Sequence, residues 1–595
     1  MTRDRLRGIY SGRKGDFRKA IRKRSSLISV ISLLRLVSVA VAVYLLIQGI
    51  RTDHLLFYGA CLLTGIFFLV LVGHHNRQNE QRKVLQELES LNDTELTCLD
   101  HHFHHLPDGN EHADRSHPWS HDLDIFGKGS LFQYINRTAT LKGSELLARI
   151  LTTEPEEPGE IRLRQKITRD LKERIDFRQN FTARARLIKE SRDDLNDISR
   201  WLSAKAYILK HRWLFPLALV VTAITITIMV FGILESSNFW LLLPLVLFNW
   251  AMLAPFFART NHYQSAVSKK HQLLEGYAAL LKIIAEAHFT HPAMKLQQEH
   301  ALKGQKEVMQ LSKLLNVFDQ RLNMLLGVVF NSLFLFDFIM LRLLERWKQK
   351  NREQIMQWIQ LTGWADARIS LAGFAYNHPA YAFPELDGER DGMEVEQLGH
   401  PLIPDHRRVD NNLTINREKV VIITGANMAG KSTFLRSLGV NTVLAYAGCP
   451  VCAKRFRGRF TGLHSSMRTA DSLQDEESYF LAEIRRLEQI VQRMGKGKPL
   501  LILLDELLKG TNTTDKRQGS VALIEKSLQY PIRCFIATHD LSLGELEGSH
   551  PEQVVNYCFE STIHEMKLEF DYTIRKGVAR NMNASFLMKQ MGITD

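Results

Sequence analysis

The chain has 595 residues, enough for several domains, with 77 basic and 64 acidic side chains and a net charge of +13. The excess is local, because residues 1–25 hold ten Lys or Arg against Asp4 and Asp16; beside apolar sequence this predicts a membrane-orientation signal rather than a nucleic-acid arm. Six cysteines in this length exclude a disulfide framework and fit a reducing compartment.

Four apolar runs are long enough to cross a bilayer, which takes about 20 residues. They are residues 27–50 (interrupted by Arg35), 55–73, 213–234 and 239–258, and the last three carry no charge. Short links at 51–54 and 235–238 pair them into two hairpins. A signal peptide fits the first run poorly, since it is long, lacks a small-residue cleavage site and is followed at once by another run. Basic residues sit at the outer ends of both hairpins: the N-terminal arm, Arg77, Arg82 and Lys83, then Lys210, Arg212, Arg259, Lys269 and Lys270. The positive-inside rule then predicts a multi-pass protein of the inner (cytoplasmic) membrane, contacting lipid through four helices, with both termini cytoplasmic. A fifth apolar run, 324–341, contains Asn331 and Asp337 and is expected to be a buried or interface helix.

Between the hairpins, residues 122–212 read as charged helix, and 166–187 carries apolar residues three and four apart. Helix resumes over 262–348, with few Gly or Pro before Gly363. The segment 100–121 holds seven of the 23 histidines without metal-ligand spacing, which predicts a polar linker. Cys449 and Cys452 form a lone CxxC, a weak metal or redox signal that is expected to be structural. The stretch 375–406 is rich in Pro, Gly and acid and reads as a connector.

From Val420 the pattern becomes apolar strands alternating with helices, an α/β signature. Gly425, Ala426, Asn427, Met428, Ala429, Gly430, Lys431 and Ser432 match GxxxxGK[ST], with an apolar strand before them and a helix beginning at Thr433 behind. Glycines there let backbone N–H groups close around phosphate oxygens at a helix N-terminus. Lys431 is placed to reach the β- and γ-phosphates of ATP, and Ser432 to ligate Mg²⁺. A second strand, 500–504, ends in Asp505, a further Mg²⁺ ligand, and in Glu506, placed to polarise an attacking water. A third strand, 533–537, leads to His539, positioned to contact the γ-phosphate.

These residues also carry a family resemblance. TGANMAGKSTFLRSLG (424–439) resembles the phosphate loop of the MutS family, and LLDELLKGTNTTD (503–515) its acidic strand and following GTxTxD loop. Residues 537–540, 471–480 and 398–401 resemble the switch histidine, the signature segment and the start of that ATPase domain. Residues 122–143 and 364–379 are more weakly similar to the helical core and the end of the lever helix. The resemblance implies a Mg²⁺-dependent ATPase with the site residues above plus Thr433, and a homodimer in which Ser478 reaches the partner's γ-phosphate. It also implies DNA binding and mismatch repair. Residues 1–121 are expected to hold no counterpart of the mismatch-reading domain, and the chain after 592 no dimerisation extension. Phe383 and Glu385 match a Phe-x-Glu reading motif only by accident. Where an adenine-stacking aromatic is expected stand Arg407, Arg408 and Val409, and Asn512 stands where the family often has serine.

The expected fold is an α/β P-loop NTPase (ABC/MutS-type) C-terminal domain on an all-α core and lever, with two transmembrane hairpins. The divisions are 1–80 arm and first hairpin, 81–121 linker, 122–212 core, 213–258 second hairpin, 259–395 core and lever, and 396–595 ATPase. The alternative function is ATP-driven membrane remodelling, signalling or transport without DNA.

Overall fold

The computed structural model describes residues 2–210, 213–235, 240, 242–388, 391–468, 479–508, 512–564 and 567–580. Two long helices, Arg3–Thr52 and Leu55–Leu99, form an antiparallel hairpin that turns at Asp53, in a left-handed conformation. The middle of this hairpin exposes large apolar side chains, among them Leu36 at 69% and Leu62 at 68%. Among the described residues four helices are long and apolar enough to cross a membrane: these two, Leu214–Phe231 and Leu242–Val267.

The basic arm does not stand apart. It is the first part of helix Arg3–Thr52, and several of its charges are met by protein, Arg7 by Asp100, Arg13 by Asp176, Lys14 by Asp93 and Arg18 by Glu89. Those acids are scattered over residues 89–176, so a local charge count in the sequence overstates the free charge of the arm.

The fifth apolar run is broken. Met324–Phe334 and Phe336–Asn351 meet at 87°, with Leu335 at φ 50° in the bend. Thr222 donates to Phe334 O at 3.3 Å and Asn249 to Ser332 O at 2.7 Å, which seats the run against the second hairpin. Asn331 and Asp337 are internal: Asp337 pairs with Arg321 at 2.7 Å, and Asn331 Oδ1 accepts the Asp337 N–H at 2.9 Å.

Segment 100–121 is not a polar linker. Phe103 and Trp119 are 3% exposed and share one core with Leu123, Ile125, Phe132 and the strands of the C-terminal part. Its aromatics, rather than its histidines, decide its fate, since burying such rings outweighs the polar count around them. Among the described residues no cluster of three or more His, Cys, Asp or Glu side chains is placed to hold a metal. The same core erases a clean division at 122: Asp122, 1% exposed, accepts from Ser465 Oγ at 2.7 Å and from Arg468 N at 3.1 Å.

The long helix Ile355–Asn377, where the lever is expected, is buried along most of its length and packs on Leu141–Thr152 and Pro158–Lys172. Asp366 in its middle accepts from Ala139 N at 2.9 Å and from Thr140 N and Oγ1 at 2.8 Å, fixing the start of Leu141–Thr152. Phe383 is packed under the Arg169 guanidinium, 4.2 Å from the ring centroid, so its Phe-x-Glu spacing reflects packing. Cys449 and Cys452 are buried thiols without a disulfide, their pKa values pushed by burial to about 12 and about 11; Cys449 Sγ donates to Leu371 O at 3.8 Å.

Ten strands are described: β1 (Glu385–Asp387), β2 (Met393–Leu398), β3 (Asn411–Ile415), β4 (Val420–Gly425), β5 (Arg455–Arg459), β6 (Gly462–Ser466), β7 (Leu500–Asp505), β8 (Ile532–Thr538), β9 (Val554–His564) and β10 (Lys567–Lys576). Four form a small sheet in the order β1-β5-β2-β3, and six a large one in the order β10-β9-β4-β8-β7-β6. The pairings from β9 to β6 are parallel, and β10 closes the edge antiparallel to β9. Strand β4 is buried throughout and β7 and β8 nearly so, which explains their continuous apolar runs, since helices cover both faces of a parallel sheet.

Candidate nucleotide site

The sheet register gathers the site. Thr424 pairs with Thr538 and Asp505 with Ala537, so β4, β8 and β7 end at one level. Loops leave these carboxyl ends with the phosphate loop, His539 and Glu506. In open α/β sheets that edge is where ligands bind.

Backbone conformation shapes the loop. Gly425 has φ 149°, and a Cβ there would lie 2.5 Å from Phe559 O. Gly430 has φ 109° and caps helix Lys431–Ala447; a Cβ there would sit 3.3 Å from the Tyr572 ring. Neither position takes a side chain without strain. Asn427 and Met428 are exposed on the loop, and Ala426 and Ala429 are buried beneath it. Ser432 and Thr433 follow in the first turn, where helix N–H groups lack intrahelical partners.

Lys431, 5% exposed, donates from Nζ to Gly425 O at 2.6 Å and to Ala426 O at 3.0 Å. Burial lowers its pKa from the usual lysine value, while Glu506 and Asp505 work in the opposite direction. A desolvated cation facing two carboxylates suits a bound polyanion carrying its own metal charge.

Glu506 has φ 57°, and its N–H donates to Ala537 O at 2.8 Å, which turns the chain sharply after β7. Its Oε1 lies 3.5 Å from His539 Nδ1, and His539 Nε2 lies 3.5 Å from Lys516 Nζ. Leu508 N donates to Glu483 Oε1 at 2.6 Å, tying the strap after the acidic pair to helix Tyr479–Met494. Asn512 caps helix Thr513–Ser527 by accepting from Asp515 N at 2.8 Å, a task serine performs equally well.

Beside Gly430 and Thr433 opens a cavity of about 260 Å³, walled by Arg407, Arg408, Val409, Phe434, Phe559 and Tyr572. Residues 407–409, expected to lack a base platform, form one wall. The aromatic is on the other wall: Tyr572 is 45% exposed, has φ 55° at an irregularity between Phe570 and Ile574, and stacks on Phe570 at 6.1 Å. Asn411 holds it in place, donating to Tyr572 O at 3.0 Å and accepting from Ile574 N at 2.8 Å. No signal near the phosphate motif marks Tyr572, which arrives only because β10 folds back on β9.

Gly425 through Thr433, Asp505, Glu506 and His539 thus converge on one edge, with a flat aromatic beside them. Ser478 lies outside the described residues, as does most of 471–480. The two glycines that exclude a Cβ, the buried lysine and the oxygen donors Ser432 and Asp505 fit ATP with Mg²⁺, a cation that takes oxygen ligands.

Residues 421–590 match the family model for MutS domain V. The chain is 33% identical over 218 residues to the DNA mismatch repair protein MutS of Thermotoga neapolitana, covering 36% of this chain and 27% of that protein. It is 34% identical over 210 residues to MutS of Chlorobium phaeovibrioides (33% and 24% covered), and 32% identical over 234 residues to the DNA mismatch repair protein MSH3 of Candida albicans (36% and 22%). The chain therefore spans about a quarter of the length of the relatives it matches. The phosphate-loop sequence, the acidic strand and the histidine that stand on one sheet edge all lie within the segment that matches MutS domain V, so the C-terminal part of the chain is similar to that domain.

Proposed function

We propose that the protein binds and hydrolyses ATP in a Mg²⁺-dependent manner while anchored in a membrane by its two apolar hairpins. The observation that carries this reading is the meeting of the phosphate loop, Asp505, Glu506 and His539 at the carboxyl ends of β4, β7 and β8. Backbone N–H groups of 426–432 and Lys431 bind the phosphates, and Ser432 and Asp505 hold the metal. Bound Mg²⁺ supplies charge that offsets the negative charge developing on the transferred phosphoryl group. Glu506 orients and deprotonates the attacking water, and His539, 3.5 Å from it, fixes the carboxylate and faces the γ-phosphate.

The site is completed by a second copy of the chain, whose Ser478 faces the γ-phosphate, so that ATP closes a homodimer and hydrolysis releases it. The lever helix Ile355–Asn377 then carries closure toward the membrane, because Asn377 at its end bonds both Tyr10 and Glu95 of the first hairpin at 2.7 Å. The proteins it resembles are named for DNA mismatch repair, and a DNA-directed role is the reading their names support. The direct docking of lever onto hairpin favours a second reading, ATP-driven work on the membrane or on a membrane partner.

The test is ATP turnover and binding by the full chain in detergent, with Glu506→Gln as the variant. Retained ATP binding with turnover reduced at least a hundredfold is expected, and unchanged turnover rejects the assigned role. Turnover and binding with intact, branched and mismatched duplexes over a salt series separate the two targets, since phosphate contacts weaken steeply with salt. No DNA binding at low salt leaves the membrane reading.

A further inference from the structure

On the opposite edge of the large sheet, about 20 Å along the strands from the phosphate loop, lies a second cavity of about 230 Å³. It opens between the small sheet, the amino ends of β4, β7 and β8, and the end of helix Lys431–Ala447. Its floor is apolar, built from Leu386, Met393, Tyr446, Phe456 and Ile532. Its rim is cationic, carrying Arg417, Lys419, Arg459 and Arg533.

The cations are incompletely answered. Among the described residues, Asp391 is the acidic residue lining the cavity, and its Oδ1 is 3.7 Å from Arg459. Arg533 donates to the carbonyls of Asp391 and Asn416, and Lys419 to that of Leu528, which are neutral acceptors. The Nε atoms of Arg459 and Arg533 are buried and have no hydrogen-bond partner among the described residues. Burial holds Arg533 below the usual arginine pKa; Glu418 and Asp391 oppose that, and Arg459 adds to it. A buried guanidinium N–H without an acceptor is costly, and guanidinium forks bind carboxylate and phosphate oxygens in pairs.

We propose that this cavity is a binding site for a small organic anion, an apolar ring or chain carrying one phosphate or carboxylate. The apolar body lies on Met393, Tyr446 and Phe456, and the head group meets Arg459 and Arg533 with Arg417 and Lys419 around it. The volume suits a ligand smaller than a nucleotide, since pockets for drug-sized molecules start near ~300 Å³.

The probes are phenyl phosphate, benzoate and the neutral benzyl alcohol, each titrated against the full chain in detergent by calorimetry and ligand-observed NMR. Phenyl phosphate or benzoate is expected to bind, the better of the two naming the head group, and benzyl alcohol to bind at least tenfold more weakly. Arg417→Ala and Arg459→Ala are each expected to weaken the anion about tenfold, the loss of one charge-assisted contact. Arg417 is exposed, so its removal leaves the fold intact; unfolding midpoints of both variants check this. Lys431→Ala in the phosphate loop is expected to leave anion binding unchanged. The proposal is overturned by absence of binding, by equal binding of benzyl alcohol, by unchanged affinity in both arginine variants, or by loss of binding in Lys431→Ala.

Discussion

Arg137 Nε donates to Glu95 Oε1 at 2.7 Å, joining the second helix of the first hairpin to the helical core across a nearly closed interface, the side chains 10% and 12% exposed. Burial alone would raise the Glu95 pKa, but the charge and hydrogen bonds of Arg137, with that of Asn377, hold it below the ordinary value. The pair therefore stays charged at neutral pH. Glu95→Gln leaves the Arg137 charge buried and unmatched, which costs about 3–5 kcal/mol. The expected result is faster hydrogen exchange along Arg3–Thr52 and Leu55–Leu99 and a lower unfolding midpoint. Arg137→Met added to Glu95→Gln recovers part of the loss, and the double-mutant cycle measures it.

Gly143 lies against the lever helix. A Cβ on it would be 2.3 Å from Asp366 Oδ2, the oxygen that accepts from Ala139 and Thr140. Gly143→Ala therefore displaces the carboxylate and loosens the start of Leu141–Thr152. A destabilisation of about 1–3 kcal/mol is expected from such overpacking. Thermal unfolding checks it, with Gly127→Ala as the comparison: Gly127 has open space around its Cβ but φ 97°, so it reports backbone strain without a clash.

Tyr572 stands beside the phosphate loop with its ring stacked on Phe570. If it carries the base, Tyr572→Ala weakens ATP binding by about 1–3 kcal/mol, the usual worth of base–aromatic stacking. Tyr572→Phe keeps the affinity. The effect falls on KM rather than kcat, because stacking is equal in ground and transition states, and steady-state ATPase kinetics read the split.

His464 on β6 is 3% exposed, and neither ring nitrogen has a hydrogen-bond partner among the described residues. Burial, with Arg486 and Arg493 nearby, lowers its pKa to about 3. The unfolded chain takes up this proton near pH 6.5, so the unfolded state binds more protons over the window from about 3 to 6.5. Stability then rises with pH across that window, by up to about 1.4 kcal/mol per unit, is complete above 6.5, and is lost as pH falls. His464→Leu is expected to flatten this acid limb and to leave stability at pH 7 equal or higher, since an unsatisfied polar group is removed. Unfolding midpoints measured from pH 4.5 to 7.5 give both quantities.

The cluster proposed to bind nucleotide was legible because its motif is local. Phosphate binding needs consecutive N–H groups, two glycines and a lysine within eight residues, and the strands bearing Asp505 and His539 are buried on both faces and so read as plain apolar runs. The four apolar helices were legible for the same reason, since length and hydropathy are properties of a single segment. Segment 100–121 misled because composition averages over side chains, whereas Phe103 and Trp119 alone decide that it is packed. The acids that pair with part of the arm 1–25 were not legible, for they lie far along the chain, at Asp93 and Asp176 among others.

By itself, then, the sequence determined the strand–loop–helix around 425–433, the strand ends that bear Asp505 and His539, and the apolar helices, each written within one short stretch of chain. Tertiary structure decided that Tyr572 faces the loop, that four cations rim a cavity on the far edge of the sheet, and that the hairpin locks to the lever through Tyr10, Glu95 and Asn377. The reason is sequence separation. Asn377 meets Tyr10 across 367 positions, and the partners converge only after sheet register and helix packing have set where each side chain points.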